Sequence, residues 1–258
     1  MNLTDILEST DVVKPFRMLL YGVAGIGKST FATHAPAPVF IQTEDGLVGI
    51  NVPKTKLCVT FQQLLQCLSL IRQAKGQFKT VVLDSLDWME ELAAKEILEK
   101  NKAYSDLSKF PYGQGYAALK SKALEVMQLL KALYYDGFNI ILIAHSKPEK
   151  VVNPDGTDYD QHSPRLNKHV NPIFKEWVDI IGFCNFSFSV RERQDGMTKT
   201  VKVIADKDGA SNACVRTITL TGSPSIVAKC RYTNMPDVLP LNGQAFFSRL
   251  LGDQTNDK

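Results

Sequence analysis

A chain of 258 residues with 30 Lys and Arg against 27 Asp and Glu carries a formal charge of +3, too little by itself to argue for a nucleic-acid partner. Its hydrophobic share is 44%, ordinary for a folded domain; no apolar run reaches the length of a membrane span, and Met1-Asn2-Leu3-Thr4-Asp5 lacks a signal-peptide layout. These features exclude a membrane class and point to the cytoplasm, and Cys58, Cys67, Cys184, Cys214 and Cys230, with no C-x-x-C pair, are expected as reduced packing residues.

Residues 1–14 are expected as a loose arm, followed by one α/β domain over 15–250 and a flexible tail over 251–258. Pro15 to Gly22 predicts the first strand, and Gly22-Val23-Ala24-Gly25-Ile26-Gly27-Lys28-Ser29 follows it as G-x-x-x-x-G-K-S. A helix opens at Thr30-Phe31-Ala32 and runs as far as Ala35-Pro36. Val39-Phe40-Ile41-Gln42 is a short second strand, ending in Thr43-Glu44-Asp45-Gly46. Phe61, Leu64, Leu65, Leu68 and Ile71 repeat at helical spacing, which predicts a helix over 61–75. Thr80-Val81-Val82-Leu83-Asp84 reads as a buried strand, Leu86–Lys100 and about 114–136 as helices, and Asn139–Ala144 as a further buried strand.

The polar stretch 146–170, with Pro148, Pro154, Gly156 and Pro164, is expected as a mobile loop, and Leu166–Val178 as a helix. Short strands are expected after it at 180–190, 198–205, 214–220 and 225–232, with a turn at Asp195-Gly196. Strands alternating with helices and then an antiparallel edge imply an α/β fold: one mostly parallel twisted sheet, helices on both faces, an antiparallel C-terminal edge. From Arg191 to Arg231 there are eight basic and four acidic residues, a local excess of +4 that also suits a solvated sheet face.

The G-x-x-x-x-G-K-S segment is a phosphate-binding P-loop. Its glycines let the backbone N–H groups of Gly22 to Thr30 turn inward on a triphosphate, Lys28 reaches the β- and γ-phosphates, and Ser29 offers a hydroxyl to Mg²⁺. A carboxylate at the tip of a buried strand completes such a site, and Asp84 occupies that position, although it would equally cap the following helix. Glu44 ends the strand expected to neighbour the P-loop strand, which would set it beside the γ-phosphate as activator of water; the competing reading is a plain turn. His145, at the tip of 139–144, is suited to sensing the γ-phosphate. Asp158, Asp160, His162 and His169 lack the fixed spacing of a metal site.

In this order (P-loop, Glu, Asp-Ser, polar sensor) the chain resembles the RecA-like ATPase core. More narrowly it resembles the small phage-encoded RecA-like ATPases associated with single-strand annealing and recombination. The resemblance is carried by Tyr21-Gly22 through Ala32, Val39-Phe40-Ile41 with Thr43-Glu44-Asp45-Gly46, Asp84-Ser85-Leu86-Asp87-Trp88, Tyr112-Gly113-Gln114-Gly115-Tyr116, Ile141 through Ser146, and Ala228-Lys229-Cys230-Arg231-Tyr232 with Leu239-Pro240-Leu241. It spans roughly 15–241.

That resemblance implies ATP and Mg²⁺ as cofactors and self-assembly into a ring or filament with active sites between subunits. Lys229 and Arg231 then match the Lys-x-Arg pair projected into a neighbour's γ-phosphate; without the resemblance they are two solvated cations on a strand. Single-stranded DNA is the implied partner, held without sequence readout by Lys109, Tyr112 and Tyr116 in one loop and by Lys147, Lys150, Arg165, Lys168 and Lys175 around the other. A single-strand-binding protein in a bacterial host cytoplasm is a further implied partner. The chain departs from full-length recombinases in carrying His145 where glutamine is common. A ring helicase, a replication accessory ATPase, a nucleotide-gated interaction protein and a P-loop small-molecule kinase are the competing functions, the last of which leaves Lys229 and Arg231 unexplained.

Overall fold

Apolar runs without polar alternation need cover on both faces, and the computed structural model provides it. It describes residues 14–154, 156–187, 189–195, 198–204 and 215–252. Residues 1–13 of the expected arm, Gly196 of the expected turn, Cys214 and residues 253–258 of the expected tail lie outside the described residues.

The elements in chain order are β1 (Arg17–Gly22), α1 (Lys28–Ala32), β2 (Pro38–Gln42), α2 (Phe61–Gln73), β3 (Thr80–Asp84), α3 (Leu86–Lys100), α4 (Gln114–Tyr135), β4 (Asn139–Val151), β5 (Tyr159–Pro164), α5 (Asn171–Trp177), β6 (Ile180–Ser187), β7 (Ser189–Asp195), β8 (Thr198–Ile204), β9 (Val215–Thr219), β10 (Lys229–Cys230), β11 (Val238–Pro240) and α6 (Gly243–Gly252). The main sheet runs β11-β9-β6-β1-β4-β3-β2, with β5 on β4 and β10 on β6. From β6 to β2 all neighbours are parallel, whereas β9, β10 and β11 pair antiparallel at the other margin. This is the mostly parallel α/β sheet with an antiparallel C-terminal edge expected from the sequence. β7 and β8 form a separate antiparallel hairpin.

Alternation along each strand divides the core in two. Leu19, Tyr21, Val81, Leu83, Ile140 and Leu142 face α2, α3 and α4, whereas Met18, Leu20, Val82, Ile141 and Ile143 face Phe31 of α1 and Phe246, Phe247 and Leu250 of α6. Each fully buried Leu, Ile or Phe contributes about 1.5–3 kcal/mol, so both layers are needed to hold the sheet. α6 was not foreseen; Asn242 caps it, its Oδ1 accepting from the Ala245 N–H at 3.1 Å. The helix runs to Gly252, past the expected domain boundary. No helix among the described residues is long and apolar enough to cross a membrane.

Four expectations are corrected here. β2 does not neighbour β1: β4 and β3 stand between them, because strand order is set by long-range pairing. The stretch after Ala144 is not a loop but a hairpin, in which β4 continues to Val151 and pairs antiparallel with β5, Ser146 opposite Pro164 through Val151 opposite Tyr159. Tyr21 anchors its base, the hydroxyl lying 2.9 Å from the His162 carbonyl and 2.7 Å from that of Val227. α1 is also shorter than expected, ending at Ala32, and the 225–232 strand reduces to Lys229–Cys230.

Candidate active site

The P-loop leaves the carboxyl end of β1, flanked by β4 and β6, with Gly22 opposite His145 on one side and Cys184 on the other. A Cβ on Gly22 would stand 2.2 Å from the Cys184 carbonyl oxygen, so only glycine lets the two strands close at this point. Gly27 enters α1 with φ at 107°, a left-handed conformation that a side chain would strain. Lys28 is buried and its Nζ donates to the carbonyls of Gly22 at 3.1 Å and Val23 at 2.9 Å. Burial pulls its ammonium below the usual lysine range, and nearby acidic groups, Asp84 among them, pull it back.

Ser29 Oγ donates to Asp84 Oδ2 at 2.6 Å. Asp84 is 3% exposed, and its other oxygen, Oδ1, has no hydrogen-bond partner. Burial raises its pKa, against the opposing pull of Ser29 and Lys28. A buried carboxylate oxygen left unpaired beside a hydroxyl is a hard oxygen donor set, the kind Mg²⁺ prefers to share with phosphate and water. These residues therefore fit the metal that the P-loop implies. Among the described residues no group of three or more His, Cys, Asp or Glu could hold a metal ion.

Thr43 joins the tips of β2 and β3. Its N–H donates to the Asp84 carbonyl at 2.8 Å, while its hydroxyl accepts from the Ser85 N–H and donates to the Ser85 carbonyl, both at 2.7 Å. Although β2 lies three strands from β1, this clamp turns the following segment back over the sheet edge. Glu44 thus lines one cleft of about 460 Å³ with Gly25, Gly27, Lys28, Ser29, Thr30, Asp84, Trp88 and His145. Burial pushes the Glu44 carboxyl up; His145 and Lys28 pull it down, and Asp84 and Asp87 push it further up. A carboxyl shifted this way is better matched to taking a proton near neutral pH than a solvated glutamate.

His145 is held from behind by Asp87, in the first turn of α3. Its Nδ1 lies 2.7 Å from Asp87 Oδ2 and its backbone N–H donates to Oδ1 at 3.1 Å. An ionised carboxylate only accepts, so the hydrogen sits on Nδ1 and Nε2 is left for a ligand. Arg165, at the end of the hairpin, donates from Nη2 to the same Asp87 Oδ2 and from its N–H to the His145 carbonyl at 2.8 Å. Burial alone would raise the Asp87 carboxyl, but the bonds from His145 and Arg165 hold it down at about 2. From sequence Asp87 had no role of its own in the site; its place three residues after Asp84, on the first turn of α3, was the available signal.

The remaining predicted residues are distributed as follows. Tyr116 lies 5.8 Å, ring to ring, from His169, so the 109–116 loop and the segment after the hairpin adjoin. Tyr112 is fully exposed at φ 52°, and Lys109 and Lys168 are exposed. Lys147 donates to the Leu166 carbonyl at 2.7 Å and pairs with Glu149 at 2.9 Å, and Lys150 pairs with Asp158 at 3.1 Å. Lys229 and Arg231 are remote from the cleft. They lie where β10 meets Ile180 and Ile181 at the amino end of β6, with Lys229 donating to the Lys175 carbonyl at 2.8 Å and Arg231 to Asp179 at 2.9 Å.

A family model described as "AAA domain" (AAA_24) matches residues 14–232. The chain belongs to this AAA-domain family. The match takes in every residue that lines the P-loop cleft. The AAA-domain chain is also similar to the SPbeta prophage-derived uncharacterized protein YorG of Bacillus subtilis (strain 168), at 24% identity over 136 residues. That alignment covers 51% of this chain and 41% of the relative, so the chain spans less than half of its length. Among solved structures, a KaiC-like protein, PH0186 from Pyrococcus horikoshii OT3, aligns over 81% of this chain and 86% of its own, with 13% identity and a TM-score of 0.38.

Proposed function

We propose that this AAA-domain protein is a Mg²⁺- and ATP-dependent hydrolase that assembles copy against copy on single-stranded DNA and promotes annealing or recombination. One observation carries the ATPase part of the reading: Lys28, Ser29, Asp84, Glu44 and His145, from four different strand ends, line a single cleft at the carboxyl edge of a parallel sheet. Lys28 holds the terminal phosphates. Ser29 and Asp84 would hold Mg²⁺, whose charge offsets that of the triphosphate. Glu44 orients the attacking water and takes its proton. His145, its Nδ1–H held by Asp87, turns Nε2 toward the γ-phosphate, and Arg165 links the same carboxylate to the β4–β5 hairpin.

The DNA part of the reading is supported by the contact between the two loops named from sequence, Tyr116 against His169, and by the exposed Tyr112 beside Lys109. Cations would take phosphates and the aromatic ring would stack on bases. Arg231, at 54% side-chain exposure, shares Asp179 with Arg17 and could leave it for a neighbouring subunit without stranding the carboxylate. Sizing the protein alone, with a non-hydrolysable ATP analogue and with an added oligonucleotide tests this reading. Growth of the particle that requires the analogue is expected; a monomer under all three conditions contradicts the assembly.

A further inference from the structure

Arg216, in β9, takes no part in the cleft as read from sequence, yet the sheet delivers it to the P-loop. It pairs with Phe186 of β6, two residues beyond the Cys184 that pairs with both Gly22 and Ile218. Side chains two apart share a face, so Arg216 follows Ile218 onto the side of the sheet that carries α1. Its Nη1 lies 3.4 Å from the point a Cβ on Gly27 would occupy, and Leu241 Cδ2 lies 3.9 Å from the same point. The Leu241 N–H donates to the Arg216 carbonyl at 2.8 Å, which fixes the two side by side. Arg216 is exposed, and among the described residues nothing accepts from its guanidinium. Arg17, Arg165 and Arg231, by contrast, are each paired with an aspartate.

We infer that Arg216 contacts the phosphate chain of the bound nucleotide in cis, with Leu241 closing the same flank of the cleft. This rests on the cleft being a nucleotide site. A guanidinium is charged at every relevant pH and offers a planar fork that matches two phosphate oxygens at once, so an arginine with no protein acceptor beside a phosphate-binding turn has its natural partner in the ligand. A Cβ on Gly27 would meet Nη1 at ordinary contact distance, so glycine is required here by its φ of 107° while Nη1 stands beside the turn. Part of the positive charge around the triphosphate then belongs to the same chain as the P-loop, and nucleotide affinity does not depend on a neighbouring copy, whatever Lys229 and Arg231 do for hydrolysis.

The test is equilibrium titration of the full chain with a fluorescent ATP analogue and Mg²⁺, for wild type, Arg216→Ala, Arg216→Lys and Lys28→Ala, with circular dichroism to verify each fold. Arg216→Ala should bind about tenfold more weakly or worse, as loss of a charge-assisted bond does, and Arg216→Lys should recover part of that. Its melting temperature without nucleotide should be unchanged, because the side chain is exposed. Wild-type affinity in Arg216→Ala, with Lys28→Ala weakened, would overturn this inference and leave the nucleotide site intact; a wild type that fails to bind would overturn both. Mixing Arg216→Ala with Lys28→Ala chains separates cis from trans: no regained hydrolysis is expected, and recovery would overturn the cis placement.

Discussion

At the amino edge of the sheet Arg17 grips Asp179 through both Nε, at 2.8 Å, and Nη2, Arg231 adds a third bond to the same carboxylate, and Tyr134 and Trp177 cover the Arg17 guanidinium at 4.6 and 5.3 Å. At the carboxyl edge two cations lack a carboxylate partner, whereas Arg165 pairs with Asp87: Lys28 is held by two carbonyls, and Arg216 by nothing among the described residues. The acidic groups differ in the same way, since Asp84 keeps one oxygen unpaired whereas Asp179 is saturated. Charge satisfied within the chain contributes to stability. Charge left incomplete, in a cleft that desolvation makes costly, is arranged for something that arrives. The comparison separates an edge whose charges close within the chain from an edge that leaves Lys28, Asp84 and Arg216 open to a ligand.

Substitutions at the two edges should therefore fail differently. The largest effect is expected from Glu44→Gln, which should slow phosphate release by about 10²–10⁴-fold while leaving ATP affinity near wild type, as loss of a general base does. Unchanged turnover would return Glu44 to a turn residue. Asp179→Ala should do the reverse, lowering stability by about 2–3 kcal/mol in urea unfolding because Arg17 is left part-buried and unpaired, with nucleotide affinity unaltered. A loss of affinity in this variant, with stability kept, would break the division between the edges.

The smallest effect concerns Glu90, beside Lys147 and Arg165 in the cleft next to the site. Burial pushes its carboxyl up to about 7, although the Asn167 N–H bonds both its oxygens, at 3.1 and 2.8 Å. The folded chain thus keeps a proton that the unfolded chain gives up near 4.5, so this contribution is fully present below that pH and is lost as pH rises through about 7. Glu90→Gln should remove the loss, adding about 1–2 kcal/mol at pH 8 relative to wild type and flattening the stability profile between those limits. A profile identical to wild type would mean that the carboxyl is ionised throughout.

What could be read from the sequence was whatever a contiguous motif determines. The P-loop, Asp84 and His145 each follow an apolar run that could be only a buried strand, and each stands in the cleft. Pairing between distant strands was not legible in the same way. Glu44 reaches the site across two intervening strands by the Thr43 clamp, and Arg216 reaches Gly27 because β9 folds antiparallel onto β6. The hairpin over 146–164 was hidden by its composition: prolines and charges that signal a loop are also what a solvent-facing ribbon carries. α6 was missed although Phe246, Phe247 and Leu250 follow helical spacing, because no element was assigned between the last expected strand, at 225–232, and the tail.

The claim on which the rest depends is that Mg·ATP sits between Lys28 and Asp84. Calorimetric titration of ATP into wild type, Lys28→Ala and Asp84→Asn, each with and without Mg²⁺, addresses it directly. Binding to wild type that strengthens with Mg²⁺, is lost in Lys28→Ala and no longer responds to Mg²⁺ in Asp84→Asn is the predicted result. Equal, Mg²⁺-responsive binding in all three proteins would contradict it.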